Sequence, residues 1–210
     1  MDWSILWQYR APLGVGLLKT VGLSAVSICG SFIVGTVVGC IGSLRGFIAP
    51  RVVNLYVESL RNVPLVVKLF FFYFVVGLDA ISASILSLTL HQSAYIADVV
   101  AAGIRSIPGE QIEAARALGH SYLQIFIFVL LPQGLYIVIP PLTSQFIEVV
   151  KNSSLVMLIG VQELTFETQA IEQETFRGFE AATAVTLLYV LIALWLARVM
   201  TRVQAGMVRK

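Results

Sequence analysis

Charge is what this sequence has least of. Asp, Glu, Lys and Arg make up 12% of its 210 residues, against 58% hydrophobic. Soluble domains carry about 25% charged residues, so a fully water-facing surface cannot be assembled from what remains, and most of the outer face meets lipid. Cysteine is equally scarce: Cys29 and Cys40 are the only two. Both fall in one apolar run, about 16 Å apart along a helix axis, which excludes an intrachain disulfide and leaves them as small packing residues. Met1 to Thr20 lacks the basic start, short apolar stretch and cleavage site of a signal peptide, so the first helix is expected to remain in the mature protein. No Gly-x-x-x-x-Gly-Lys-Ser/Thr stretch occurs, so the chain does not itself cradle nucleotide phosphates, and no cofactor is expected on it. His91 and His120 are the only histidines, and neither has a Cys or second His in a ligand pattern, so no metal site is expected. The net charge of +2 says little by itself, and no nucleic-acid partner is expected.

What is there is apolar length. Five segments stand out, at about Val21–Leu44, Val53–Leu78, Ala80–Ile104, Leu123–Val150 and Ala181–Met200. At about 20 residues per transmembrane helix they fill the chain, which reads as a single transmembrane domain, 1–210, with no room for a separate soluble one. The fold class is an all-α membrane protein with five transmembrane helices. Segment one carries Gly30, Gly35, Gly39, Gly42 and Gly46; small residues at such spacing let helices approach closely where lipid supplies no hydrophobic drive. Segment two holds Glu58, Arg61 and Pro64 near its start, which places its first turns at the interface. Segment four contains Pro132, Pro140 and Pro141 and is expected to be kinked or interrupted there.

Basic residues set orientation. With the N-terminus outside, the inner stretches hold Arg45, Arg51, Arg61, Arg105, Arg116, Arg198, Arg202, Arg209 and Lys210, nine of the fourteen. The stretch between segments four and five is acidic, with Glu163, Glu167, Glu172, Glu174 and Glu180. The C-terminus is therefore expected in the cytoplasm.

The loop between segments three and four, about 106–122, has its own helical pattern. Pro108-Gly109 is a turn signal, Glu110 to Leu118 is rich in helix formers, and Gly119 stands where a C-terminal glycine belongs. Glu110 and Glu113 near the start and Arg116 near the end suit the helix dipole. Ile112, Ala115 and Leu118 make a narrow apolar stripe suited to a groove in a partner.

The spacing Glu113-Ala114-Ala115, three residues, Gly119, nine residues, Val129, one residue, Leu131-Pro132 resembles the signature of binding-protein-dependent ABC importer permeases, with Val129 where isoleucine is usual. The resemblance extends over nearly the whole chain and narrows to the polar amino-acid branch. It is carried by Arg61-Asn-Val-Pro-Leu-Val-Val-Lys-Leu-Phe-Phe-Phe-Tyr73, Ala94-Tyr-Ile-Ala-Asp98, Leu131-Pro-Gln133, Lys151-Asn-Ser-Ser-Leu155 and Ile159-Gly-Val-Gln-Glu-Leu164. Asp98 stands for the usual Glu, Lys68 for a common Gln, and Asn152-Ser153 for a common Asp-Thr, departures that leave the exact substrate open.

The resemblance implies a type I ABC importer permease in a bacterial cytoplasmic (inner) membrane. Two permease subunits, identical or homologous, would form the path, two ABC ATPase subunits would bind ATP and Mg beneath them, and an extracytoplasmic amino-acid-binding protein would deliver substrate. The chain is then a transporter subunit and not an enzyme. Glu113, Ala114, Ala115, Gly119, Val129, Leu131 and Pro132 would carry the coupling to the ATPase.

Charged and polar groups inside spans are costly and point to function. Ser84, Ser87, His91, Tyr95, Asp98 and Arg105 fall on one helical face, which argues for a wet cavity or a partner helix. The candidate substrate-path residues are Lys68, His91, Tyr95, Asp98 and Lys151. Lys68 facing the path would attract a substrate carboxylate and Asp98 would hold an α-ammonium, a lean toward glutamate/aspartate or amide amino acids. For both, a structural ion pair is the other reading, as packing is for His91 and a gate role for Lys151. The rival functions are an ion-gradient-driven secondary transporter, which often shows inverted repeats that are not evident here, and a membrane scaffold, which leaves the polar stripe unexplained.

Overall fold

The computed structural model describes residues 3–44, 46 and 48–208, with side chains through residue 206. Arg45, Arg209 and Lys210, used in the orientation reading, lie outside the described residues. The expected all-α architecture is present, and no strand occurs among the described residues. Among the described residues four helical stretches are long and apolar enough to cross a membrane: Arg10–Ser43, Ala80–Arg105, Tyr122–Ile159 and Gly178–Gly206.

A short α1 (Ser4–Gln8) leads into α2 (Arg10–Ser43), which begins well before the first apolar segment does. Its partner is α5 (Ala80–Arg105), the most buried of the long helices. The close approach that the glycine spacing predicts is realised here. A Cβ on Gly35 would stand 2.7 Å from Ile96 and 2.8 Å from Ser93 O, and one on Gly39 would stand 2.6 Å from Ala97 O. Such a seam gains contact area without polar glue; elsewhere in the same two helices the hydroxyls of Ser24 and Ser27 (α2) and Ser87 (α5) are buried with no hydrogen-bond partner.

The second apolar segment is built as a broken pair. α3 (Ile48–Asn62) ends before Pro64, and α4 (Leu65–Phe70) runs into a π-helical turn, Phe71–Val75. The reason is local: proline drives the residue before it out of the α region, and Pro64 itself sits extended at ψ 145°. The apolar piece Leu65–Val75 rises only about 16 Å, half of a bilayer core. α3 lies against α2 and α5, with Val53 and Val57 packed on Ala97 and Tyr56 OH hydrogen-bonded to Ser93 Oγ at 2.7 Å.

α5 starts cleanly because Asp79 Oδ1 accepts from Ile81 N and Ser82 N, both at 3.0 Å, an N-cap that satisfies two orphan amides. After it come α6 (Gly109–Ala117) and α7 (Tyr122–Ile125), the latter opened by a Ser121/Gln124 capping box. α7 continues through a π-helical turn, Phe126–Leu130, into α8 (Leu131–Asn152) and a 3-10 stretch, Ser153–Ile159. The irregularity expected in segment four falls at the π turn just before Pro132, which removes a ladder amide. Pro140 and Pro141 lie inside α8, which runs on through both.

The acidic stretch between segments four and five is mostly ordered as one element. It is a helix, α9 (Leu164–Thr175), and its first acid faces inward: Glu163 is fully buried as the N-cap. α9 closes against α1, α2 and the outermost helix α10 (Gly178–Val208), with Leu164 and Ile171 in the core between them. α10 leaves Leu187, Leu191 and Trp195 exposed, as lipid-facing residues should be.

Candidate functional site

Two features carry the chemistry. The first is the helix in the loop. α6 has the nine-residue length expected, and Gly119 follows it at φ +85°. His120 N bonds to Ala115 O (3.2 Å) and Gly119 N to Arg116 O (2.9 Å). These are the two bonds of a Schellman end, in which the residue after the C-cap must be left-handed. The apolar stripe divides differently from its sequence reading. Ala115 is buried and Ile112 half-buried on the protein's own core of Ile107, Ile125 and Phe126, so they anchor α6 to the spans, and only Leu118 of the three is strongly exposed. The outward surface is built from Glu110, Glu113, Ala114, Arg116 and Leu118.

Of the remaining signature residues, Val129 packs on the same core, while Leu131 and Pro132 open α8. Beside them Gln133 Nε2 donates to Gln111 Oε1 and to Val129 O, both at 2.8 Å. This cross-link between α6 and α8 has a place in the sequence match but no role legible there, because a lone Gln in a span announces no partner.

The second feature is a polar cavity of about 360 Å³ between α5 and α8, lined by His91, Gln92, Tyr95, Ser144, Gln145, Glu148 and Asn152. Gln92 Nε2 donates to Gln145 Oε1 at 2.6 Å across it. His91 and Tyr95 of the predicted stripe are on its wall. The α8 side was missed, although Ser144, Glu148 and Asn152 recur every fourth residue in an apolar run, which places one polar row on one helix face. Ser84 and Ser87 are buried, and Arg105 is exposed.

Lys68, Asp98 and Lys151 are placed beside the cavity and not in its wall. Asp98 Oδ2 accepts from Arg61 Nη1 at 2.8 Å, and the same guanidinium stands 4.9 Å from the Tyr95 ring centre. Lys68 is buried at 6% exposure and donates to Leu60 O and His91 Nδ1. Lys151 is 3.6 Å from Glu148 and lines a second cavity of about 340 Å³ with Ser154, Thr165, Thr168 and Tyr189.

Behind that second cavity lies a buried polar cluster. Glu163 Oε1 accepts from Phe166 N (2.9 Å), and Oε2 from Tyr189 OH (2.6 Å) and Thr20 Oγ1 (3.4 Å). Thr20 Oγ1 in turn accepts from Leu164 N. Burial pushes the Glu163 carboxyl above the ordinary range, against hydrogen bonds that pull it down; an ionised carboxylate out of water is disfavoured unless its lone pairs are fully met. Among the described residues no group of three or more His, Cys, Asp or Glu is arranged to hold a metal ion.

Known proteins share both the sequence and the fold. The glutamine transport system permease protein GlnP of Escherichia coli (strain K12) is 32% identical over 213 residues, covering 98% of this chain and 97% of that one. The glutamate/aspartate import permease protein GltJ of the same organism is 30% identical over 230 residues, covering 97% and 93%. The crystal structure of an amino acid ABC transporter with histidines superposes with a TM-score of 0.90 at 26% identity, over 98% of this chain and 99% of that one. Residues 3–209 match the family described as binding-protein-dependent transport system inner membrane component. The chain belongs to that family: it is a membrane permease of the ABC amino-acid importer type.

Proposed function

We propose that this chain is one of a pair of permease subunits, identical or homologous, of an importer for polar amino acids of the glutamine, glutamate and aspartate group. In this reading ATP and Mg are bound by two partner ATPase subunits, and a separate extracytoplasmic protein delivers the amino acid. The observation that carries it is the pairing of α6 with the cavity through one helix. The signature from Glu113 to Pro132 begins on the outward helix α6, which Gln111 ties to Gln133 of α8, and α8 contributes Ser144, Gln145, Glu148 and Asn152 to the cavity wall. The coupling surface is then Glu113 and Ala114, set by Ala115 and Gly119, with Val129, Leu131 and Pro132 joining it to α8. The substrate path runs through the cavity at His91 and Tyr95, with Lys68, Asp98 and Lys151 holding its surroundings. Glu148, the acid on the wall, supplies the contact for an α-ammonium, and the Gln92–Gln145 pair offers donors and acceptors to a carboxamide or carboxylate.

In this reading α6 and the C-terminus face the cytoplasm and α9 lies outside. A reporter after Lys210 is then cytoplasmic, and one between Glu163 and Glu174 external; both on one side refutes that placement. The function is tested by reconstituting the permease with its ATPase and binding protein and measuring ATP-dependent uptake of labelled glutamine, glutamate and aspartate. Uptake competed only by sugars, peptides or metal ions overturns the class. Competition by lysine or arginine alone overturns the group and keeps the class.

A further inference from the structure

The break at Pro64 leaves a debt in hydrogen bonds. In a continuous helix Leu60 O would accept from the amide four residues on, but that residue is Pro64, which has no N–H. Inside an apolar segment such an orphan acceptor is costly. Lys68, one turn further along, fills it: its Nζ donates to Leu60 O at 2.5 Å. The same Nζ stands 2.8 Å from His91 Nδ1. Among the described residues Lys68 pairs with no carboxylate.

An ammonium has three N–H donors and no acceptor. The His91 nitrogen facing it must therefore present a lone pair, which puts the ring proton on Nε2. Nε2 makes no hydrogen bond among the described residues, and His91 lines the polar cavity. The ring is held by an edge contact with Tyr95, centres 5.2 Å apart, and Tyr95 is covered in turn by the Arg61 guanidinium.

We infer that Lys68 is a positioning residue: by donating to Nδ1 it fixes His91 in the Nε2–H form, so that the cavity offers a neutral, single-donor imidazole to an oxygen of the amino-acid substrate. This rests on the proposed reading of the cavity as the substrate path. It gives Lys68 a task different from meeting a substrate carboxylate directly, since its ammonium is already committed to Leu60 O and His91 and lies behind the wall. The oxygen that His91 meets belongs to a side-chain carboxamide or carboxylate, groups that both accept without requiring a free cation.

The experiment has two readouts on the assembled transporter. In the first, the permease is labelled with 15N-histidine in a His120→Gln background, so that His91 is the only imidazole, and ring-nitrogen NMR reports which nitrogen carries the proton. The expected result is Nε2–H alone in this background and a mixture of forms after Lys68→Met. An Nδ1–H ring, or a spectrum that Lys68→Met leaves unchanged, overturns the assignment.

In the second, uptake kinetics are measured as a double-mutant cycle. Losing a properly aimed buried donor costs about tenfold, so Lys68→Met is expected to raise KM by about that factor with kcat changed far less. His91→Gln places an amide nitrogen where Nε2 was and has no tautomer to fix. On that background Lys68→Met is expected to leave KM unchanged, and an equal rise on both backgrounds shows a merely structural Lys68 and refutes the proposal. Glu148→Gln separates the two levels: an unchanged KM there refutes the cavity as the path, whereas the NMR result tests the hold of Lys68 on His91 independently of that reading.

Discussion

Replacing Gly119 tests the proposed coupling helix at its most constrained point. The residue sits at φ +85° and a Cβ there would meet nothing within 4 Å, so sterics with neighbours contribute nothing and backbone conformation contributes everything. An L-residue in the left-handed region costs about 1–2 kcal/mol. Two hydrogen bonds, His120 N to Ala115 O and Gly119 N to Arg116 O, depend on that conformation. The cost is therefore paid as a shift of about 5- to 30-fold away from the correct helix end, while the spans, packed elsewhere, still insert. The series should be graded. Gly119→Asn, which tolerates this region, should keep most uptake, Gly119→Ala less, and Gly119→Val least, because β-branching adds strain. Gly119→Asp adds a negative charge at the negative end of the helix dipole, about 0.3–1 kcal/mol more than Asn, and puts that charge on the proposed docking surface, so it is expected to cut ATP-driven uptake well below Gly119→Asn while leaving insertion intact. The assay measures membrane insertion, ATPase retention and uptake in one preparation. Full uptake by Gly119→Asp with the ATPase retained would falsify the assignment. Equal loss for Asn and Val would show that the conformation at this glycine is not what matters.

Two further perturbations probe other parts of the molecule. Gly39→Ala puts a methyl 2.6 Å from Ala97 O, where backbone cannot yield, and should lower thermal stability in detergent by about 1–3 kcal/mol. Gly22→Ala, with nothing within 4 Å, should be neutral or slightly stabilising, and equal effects of the two would refute the close-packed seam. For Glu163, whose carboxyl is raised by burial, the sign runs against the usual acid. Its contribution is full below the ordinary value of 4.5 and is lost as pH rises through the raised folded value. The stability of the wild type relative to Glu163→Gln should thus fall with rising pH, and a gap that widens with pH would sink this reading.

The long helices were legible because lipid imposes length and hydropathy, which a sequence carries openly. Gly119 was legible for a different reason: one residue type dominates one backbone conformation. The α2–α5 seam was readable from glycine spacing, though not its partner, since spacing names a face and not what meets it. What stayed hidden depended on pairs. Glu163 reads as one more solvated acid until Tyr189 and Thr20 are seen around it. Ile112 and Ala115 read as a docking stripe, because an apolar face does not say whether it is its own protein or another that covers it. The broken second segment was half visible: Pro64 was in plain sight, but the reach of Lys68 back to Leu60 needs three dimensions.

The prolines inside α8 have a mechanical consequence. Pro140 and Pro141 lack the amides that would bond Tyr136 O and Ile137 O, so the shaft of α8 has its softest point there. Gln133, cross-linked to α6, stands seven positions before Pro140, and Glu148 on the cavity wall stands seven positions after Pro141. Each arm is about 10 Å long, so a hinge rotation of about 10° at the proline pair carries Glu148 sideways by about 1.8 Å. That is enough to break or make a hydrogen bond to a bound amino acid. If α6 couples and the cavity binds as proposed, α8 is a jointed linkage with equal arms, and stiffening its joint would disconnect the stroke at one end from the grip at the other.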